Sequence, residues 1–212
     1  MTGEHVYRGV VIGGSAGGVE ALVVILAALP ADFRLPLLVV QHLHASDDGA
    51  FSRHLAHRVR RPVMEPCDKQ PIEPGQIYTA PANYHMLVEK DDTISLSVDD
   101  KVNYSRPSID VLFESAAHAW GTGVIAVILS GANNDGTEGM RKIKAVGGLN
   151  IAQDPDSAET QYMVRAAIDS GVVDEVLLPE KIGKRLMELA EWSDWGRDTR
   201  FMYRLREGNR HE

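Results

Sequence analysis

Cysteine is almost absent from this chain of 212 residues: Cys67 stands alone, so no internal disulfide forms. It sits in a polar stretch with prolines nearby, and nothing around it marks it as catalytic. Long apolar runs are missing too. No stretch approaches the roughly 20 residues that cross a bilayer. Residues 1–9, with Glu4, His5 and Arg8, lack the apolar core of a secretory signal. A cytoplasmic protein without membrane insertion is expected. Positive charge is in deficit, with 22 Lys and Arg against 30 Asp and Glu and a net charge of −8. That balance argues against nucleic acid as a partner.

What is present is an ordinary globular composition, 44% hydrophobic and 25% charged, in a length that suits one domain. Two kinds of apolar pattern alternate. Short runs at 7–12, 35–41, 76–80, 124–129, 149–152 and 172–177 read as strands, and another strand begins near Val63. Residues 19–29, 49–59, 136–146 and 158–168 read as helices. Ser46 or Asp47 caps the second of these. A further helix starts at Ser108 or Asp110, and a last one has Pro179 at its first position. Residues 86–89 and 93–98 flank the turn Lys90-Asp91-Asp92 and alternate like an antiparallel hairpin at one edge. The pattern predicts an α/β fold: an open, mostly parallel, doubly wound sheet with helices on both faces. Residues 1–190 form the domain. Residues 191–212, with Trp192, Trp195 and several arginines but little apolar periodicity, are expected to be an appendage.

The most informative stretch is Ile12-Gly13-Gly14-Ser15-Ala16-Gly17-Gly18, between the first strand and the first helix. Gly13 and Gly17 frame Ser15 as G-x-S-x-G. Small neighbours let the backbone turn sharply and leave the hydroxyl exposed at the carboxyl end of the strand. The helix start behind it offers unpaired N–H groups and a positive dipole end, which suit a nucleophile whose attack creates an oxyanion. The same turn suits a phosphate. The dinucleotide pattern is broken, because Ser15 stands where it needs a glycine, and no Gly-Lys-Ser/Thr follows. On this motif alone, nucleophile and phosphate cradle both remain open.

In open α/β folds the site lies beyond the carboxyl ends of the strands. The first strand ends on Ser15, the second on His42, and the run 124–129 is followed by Ser130-Gly131-Ala132-Asn133-Asn134-Asp135-Gly136. The three ends supply a hydroxyl, an imidazole and a carboxylate, the groups of an activated serine. The Ser15 hydroxyl is expected within hydrogen-bond reach of His42, with Asp135 on the other ring nitrogen. Each member alone has a plainer role. His42 and His44 make a His-x-His pair, a metal-ligand pattern, although no acidic or cysteine partner has matching spacing. Asp135 can simply cap the helix that starts at Gly136.

The runs 11–18 and 130–136 and the pair Gln41-His42 resemble the catalytic domain of the chemotaxis methylesterase family, CheB. So do Pro74-Gly75-Gln76-Ile77-Tyr78-Thr79-Ala80-Pro81, His85, and Ser105-Arg106-Pro107-Ser108-Ile109-Asp110-Val111-Leu112-Phe113. Ala152-Gln153-Asp154, Ala166-Ala167-Ile168 and Val173-Asp174 fit as well, and the resemblance covers residues 6–190. It implies a serine hydrolase that removes methyl esters from glutamate side chains of chemoreceptor-like proteins and can deamidate glutamines. By resemblance Ser15 is the nucleophile, His42 the general base and acid, and Asp135 the orienting carboxylate. Backbone N–H groups of Ala16 and Ala132 are the oxyanion donors, and Arg106 a substrate-binding residue. No cofactor or metal is implied, and the partner is a methylated chemoreceptor-like protein. Family enzymes carry a receiver domain ahead of the catalytic one. This chain starts almost at the first strand, so control by phosphorylation in cis is not expected. Three places depart from the family pattern: Ala132 for a methionine, Asn133 for a glycine, and Tyr162-Met163-Val164 for G-M-P. The altered Ala132 region and the missing receiver domain leave open a related esterase or amidase with a substrate outside chemotaxis; against a third reading, a non-catalytic binding module, stand Ser15, His42 and Asp135.

Overall fold

The computed structural model describes residues 6–191. In chain order its first half runs β1 (Gly9–Gly14), α1 (Gly18–Ala28), β2 (Leu37–Gln41), α2 (Ala50–Val59), β3 (Val63–Met64), β4 (Gln70–Pro71), β5 (Ile77–Thr79), β6 (His85–Val88) and β7 (Thr93–Ser97). The second half runs α3 (Ile109–Trp120), β8 (Val124–Ile128), α4 (Thr137–Ala145), β9 (Leu149–Gln153), α5 (Tyr162–Asp169), β10 (Glu175–Leu177) and α6 (Pro179–Ala190). Seven strands pair in the order β10-β9-β8-β1-β2-β5-β3, and every pair is parallel.

The central strands β1, β2 and β8 are buried along their whole length. That is why their sequences are continuous apolar runs instead of alternations. The period of two divides them between two cores. Val10, Ile12, Leu37, Val39, Ile125 and Val127 face α1, α2 and α6. Val11, Leu38, Val40, Val124, Ala126 and Ile128 face α3, α4 and α5. β1 lies between β2 and β8, so the order of connection reverses there. The crevice at that reversal is where such folds place their ligands.

The hairpin expected at an edge of the main sheet forms a sheet of its own, in the order β4-β7-β6. The cause is its apolar face. Met86, Val88 and Ile94 are buried in the same core as Leu112, Phe113 and Trp120, so the hairpin packs on α3 instead of extending the parallel sheet. The fifth helix starts at Tyr162, later than the pattern at 158–168 predicts. The residues before it bond elsewhere: Thr160 donates to Ser130 Oγ, and its carbonyl accepts from Gly131.

The N-terminus of α3 comes down close on the end of β1. A β-carbon at Gly13 would lie 2.3 Å from Ile109 Cγ2. The glycine at this position is therefore a demand for space. Gly13→Ala should lower stability by about 1–3 kcal/mol through overpacking. Urea unfolding checks this: the midpoint should fall with little change in slope, and an unmoved midpoint would contradict the close approach.

Candidate active site

Ser15 occupies the turn between β1 and α1, partly exposed. Its backbone is held from both sides. Its N–H donates to the Ser130 carbonyl at 2.9 Å, and its carbonyl accepts from Gln41 Nε2 at 2.8 Å and from the Gly18 N–H at 2.9 Å. The turn closes through Gly17 at φ 77°, where a β-carbon would sit 2.5 Å from that of Glu159. Ser130 Oγ also donates to the Ala16 carbonyl at 2.8 Å. The Ala16 and Ala132 N–H groups have no hydrogen-bond partner among the described residues. Both residues are exposed.

His42 follows β2 as Ser15 follows β1. Gly14 and Gln41 are in register, and the His42 N–H donates to the Gly14 carbonyl at 3.1 Å. The two residues thus begin the turns of adjoining parallel strands. His42 Nε2 donates to Asp135 Oδ2 at 2.8 Å, with the imidazole side chain 13% exposed and the carboxylate fully buried. Nδ1 has no partner among the described residues, and neither has the Ser15 hydroxyl. Of the two expected links, the one to Asp135 is present. The one between Ser15 and His42 is not among the hydrogen bonds of the described residues.

Asp135 accepts far more than the imidazole. Oδ2 also accepts from the Ile109 N–H at 2.8 Å, and Oδ1 from Ser108 Oγ at 2.9 Å, the Asp110 N–H at 3.0 Å and Asn103 Nδ2 at 3.3 Å. The carboxylate therefore sits on the N-terminus of α3. The plainer role of capping the following helix is met by another residue. Asp110 Oδ1 accepts from the N–H groups of Gly136 at 2.9 Å and Gly139 at 2.7 Å, at the start of α4. Each aspartate caps the helix that carries or follows the other.

The two carboxyls respond oppositely. Burial alone would raise Asp135, but the hydrogen bonds from His42, Ile109 and Asp110, with the charge of His42, outweigh it and hold the group below the usual range. Asp110 is pushed up to about 6, first by burial and then by the neighbouring Asp135 charge, against the N–H groups of Gly139 and Gly136.

The other expected positions are placed as follows. Arg106 Nη1 donates to the carbonyls of Val98 at 2.6 Å and Asp99 at 2.8 Å, so it braces its own loop. His44 shares a hydrogen bond with Ser46 on the exposed side. Asn133, standing for a glycine, is not among the residues at positive φ. Its side chain closes a turn onto the Asp135 N–H at 3.2 Å, so the departure fits the local backbone. Asp47 caps α2 through the N–H groups of Gly49 and Phe51. Four contributors carried no assigned role in the sequence: Gln41, Ser130, Asn103 and Met163. The Met163 side chain packs under Gly131, and its N–H donates to the Gly131 carbonyl at 2.9 Å. Gln41 and Ser130 were visible as polar residues closing apolar strands, the same signal that marked His42. Asn103 gave none.

The model of the CheB methylesterase family matches residues 10–186. This chain belongs to the CheB methylesterase family. A protein of Leptospira interrogans named protein-glutamate methylesterase/protein-glutamine glutaminase is 47% identical over 183 residues, which cover 86% of this chain and 95% of that one. A group 2 operon protein of Bradyrhizobium diazoefficiens with the same name is 37% identical over 182 residues, but the match spans only 46% of its length. The crystal structure of the Thermotoga maritima CheB methylesterase catalytic domain superposes with a TM-score of 0.82 at 34% identity, covering 86% of this chain and 98% of that one. The mostly parallel sheet with its small antiparallel companion is thus a CheB fold.

Asp135→Asn keeps the shape and removes the charge that the α3 N-terminus and His42 hold. The folded carboxyl is depressed, so its contribution is complete above the unfolded value of 3.8 and is lost as pH falls through the folded one. Urea unfolding of both proteins across pH should show the variant less stable at pH 7. The gap should persist down to about pH 4 and close below it. A gap that does not depend on pH would contradict the charge interaction.

Proposed function

We propose that the chain is a serine hydrolase that cleaves methyl esters of glutamate side chains on a chemoreceptor-like protein, with Ser15, His42 and Asp135 as its catalytic groups. The observation that carries this reading is the buried Asp135–His42 contact at 2.8 Å, placed on the strand end next to the Ser15 turn. Membership of the CheB family supports the reaction class, and the names of the relatives support the substrate.

The geometry suggests the following course. A substrate ester enters the crevice above β1, and Ser15 Oγ attacks its carbonyl carbon while His42 Nδ1 takes the hydroxyl proton. Asp135, bonded to Nε2, fixes the tautomer and stabilises the imidazolium. The oxyanion forms over the N–H of Ala16, at the positive end of α1, and that of Ala132, in the loop after β8. Collapse breaks the bond to methoxide, which leaves as methanol with the proton from His42. Water then attacks the acyl-serine, its proton going to His42, and Ser15 is released with a free glutamate carboxylate. With a glutamine side chain the same steps expel ammonia.

The catalytic unit in this reading is residues 1–190, with 191–212 as an appendage; beyond Glu191 the latter lies outside the described residues. No helix among the described residues is long and apolar enough to cross a membrane. The enzyme meets the receptor from the cytoplasmic side.

Ser15→Ala should lower turnover of a methylated receptor fragment by roughly a thousandfold or more, and His42→Ala should do the same. The double variant should lose hardly more than either single one, because the groups act as a unit. Methanol release measures all three. Undiminished release by Ser15→Ala would remove the nucleophile from this account.

A further inference from the structure

Asn103 stands one residue inside a tight turn. Val102 and Ser105 bond each other in both directions, at 3.2 and 2.9 Å, and the two residues between them lie at positive φ, Asn103 at 50° and Tyr104 at 63°. A two-residue hairpin turn of this kind needs positive φ at both positions. Asparagine tolerates that conformation, but tyrosine does not adopt it readily. Tyr104 is 96% exposed, so no packing of its own side chain explains why the backbone is held there. The loop is braced from its far end by Arg106.

This strained turn presents one amide to two carboxylates. Asn103 Nδ2 lies 2.8 Å from Asp110 Oδ2 and 3.3 Å from Asp135 Oδ1. An amide nitrogen has two hydrogens, so each carboxylate can receive one. We propose that Asn103 is a positioning residue for the reaction: its amide clamps Asp110 to Asp135 and so fixes the Asp135 carboxylate in the orientation that serves His42. The inference rests on the functional reading above, since it assigns the clamp to the same catalytic site.

The physical argument concerns like charges. Two buried carboxylates side by side repel each other, and one of them takes up a proton more readily. Burial, with the Asp135 charge beside it, already pushes the Asp110 carboxyl up to about 6. Once protonated, it can donate to Asp135 and compete with His42 for the same oxygens. Asn103 opposes this by supplying a donor that needs no proton from solution. The other titratable groups around the pair are His42, on Asp135, and His85 of β6, whose Nδ1 accepts from the Ser108 N–H at 3.2 Å. The start of α4 offers Asp110 only backbone N–H groups.

A purely structural role, an asparagine suited to a turn, is separable from the clamp. Asn103→Gly accepts positive φ at least as well and lacks the amide. Asn103→Asp also tolerates the turn but replaces the donors by a third carboxylate. The clamp predicts that Asn103→Gly melts near the wild type yet loses about tenfold in kcat with little change in KM. Asn103→Asp should lose more. In the substrate-free protein, carbon NMR of the carboxyls should find the Asp110 titration raised by about half a pH unit or more in Asn103→Gly. The acidic limb of the rate profile should move up with it. A wild-type kcat in Asn103→Gly, a loss confined to KM, or an unmoved Asp110 titration would each overturn the proposal. The titration needs no substrate, so it judges the clamp even if Ser15→Ala shows the catalytic reading to be wrong.

Discussion

A buried carboxylate without partners is untenable, and Asp135 is fully buried. The arrangement around it follows from satisfying that one charge. The N-terminus of α3 supplies two backbone N–H groups and the Ser108 hydroxyl, and His42 supplies the imidazole. To reach Asp135, α3 must start directly over the end of β1, which leaves no room for a side chain at Gly13. The close approach also sets Asp110 beside the start of α4, where it caps that helix in return. One electrostatic requirement thus couples α3 and α4, two of the helices that cover one face of the sheet, to the carboxylate that bonds His42.

The nucleophile turn depends on the sheet differently. Its hydrogen bonds to Ser130 and Gln41 use the Ser15 backbone and leave the side chain out of the network. Among the described residues the Ala16 N–H, just before α1, is left without a hydrogen-bond partner. A turn held by its backbone can leave a side chain open to solvent without packing it, which suits the role proposed for Ser15. Arg106 belongs to the same economy of loops: its guanidinium holds the loop that carries Asn103 in place.

Much of this was legible in the chain. Strands buried on both faces read as β-branched apolar runs, and the polar residue after each run marked the face of the sheet that holds the site. Ser15, His42 and Asp135 were singled out that way, and the structure joins the last two by a hydrogen bond. The role of Asp135 at the α3 N-terminus was not, because a helix start is read from residues next to it in sequence, and this cap comes from 26 positions away. The separate three-stranded sheet escaped for a similar reason: the alternation in β6 and β7 says that one face is buried, but not against what. Asn103 could not be recognised, since an asparagine in a polar loop is common and only the fold brings it between two aspartates.

The central claim is that the Asp135 carboxylate, through His42, activates Ser15. A fluorophosphonate reports on this most directly, since it phosphonylates only an activated serine and the adduct is weighed by mass spectrometry. The account predicts a single adduct on the peptide containing Ser15, formed at a rate that collapses in Asp135→Asn while the variant remains folded. An adduct on another residue, or labelling of Ser15 at an unchanged rate in Asp135→Asn, would contradict it.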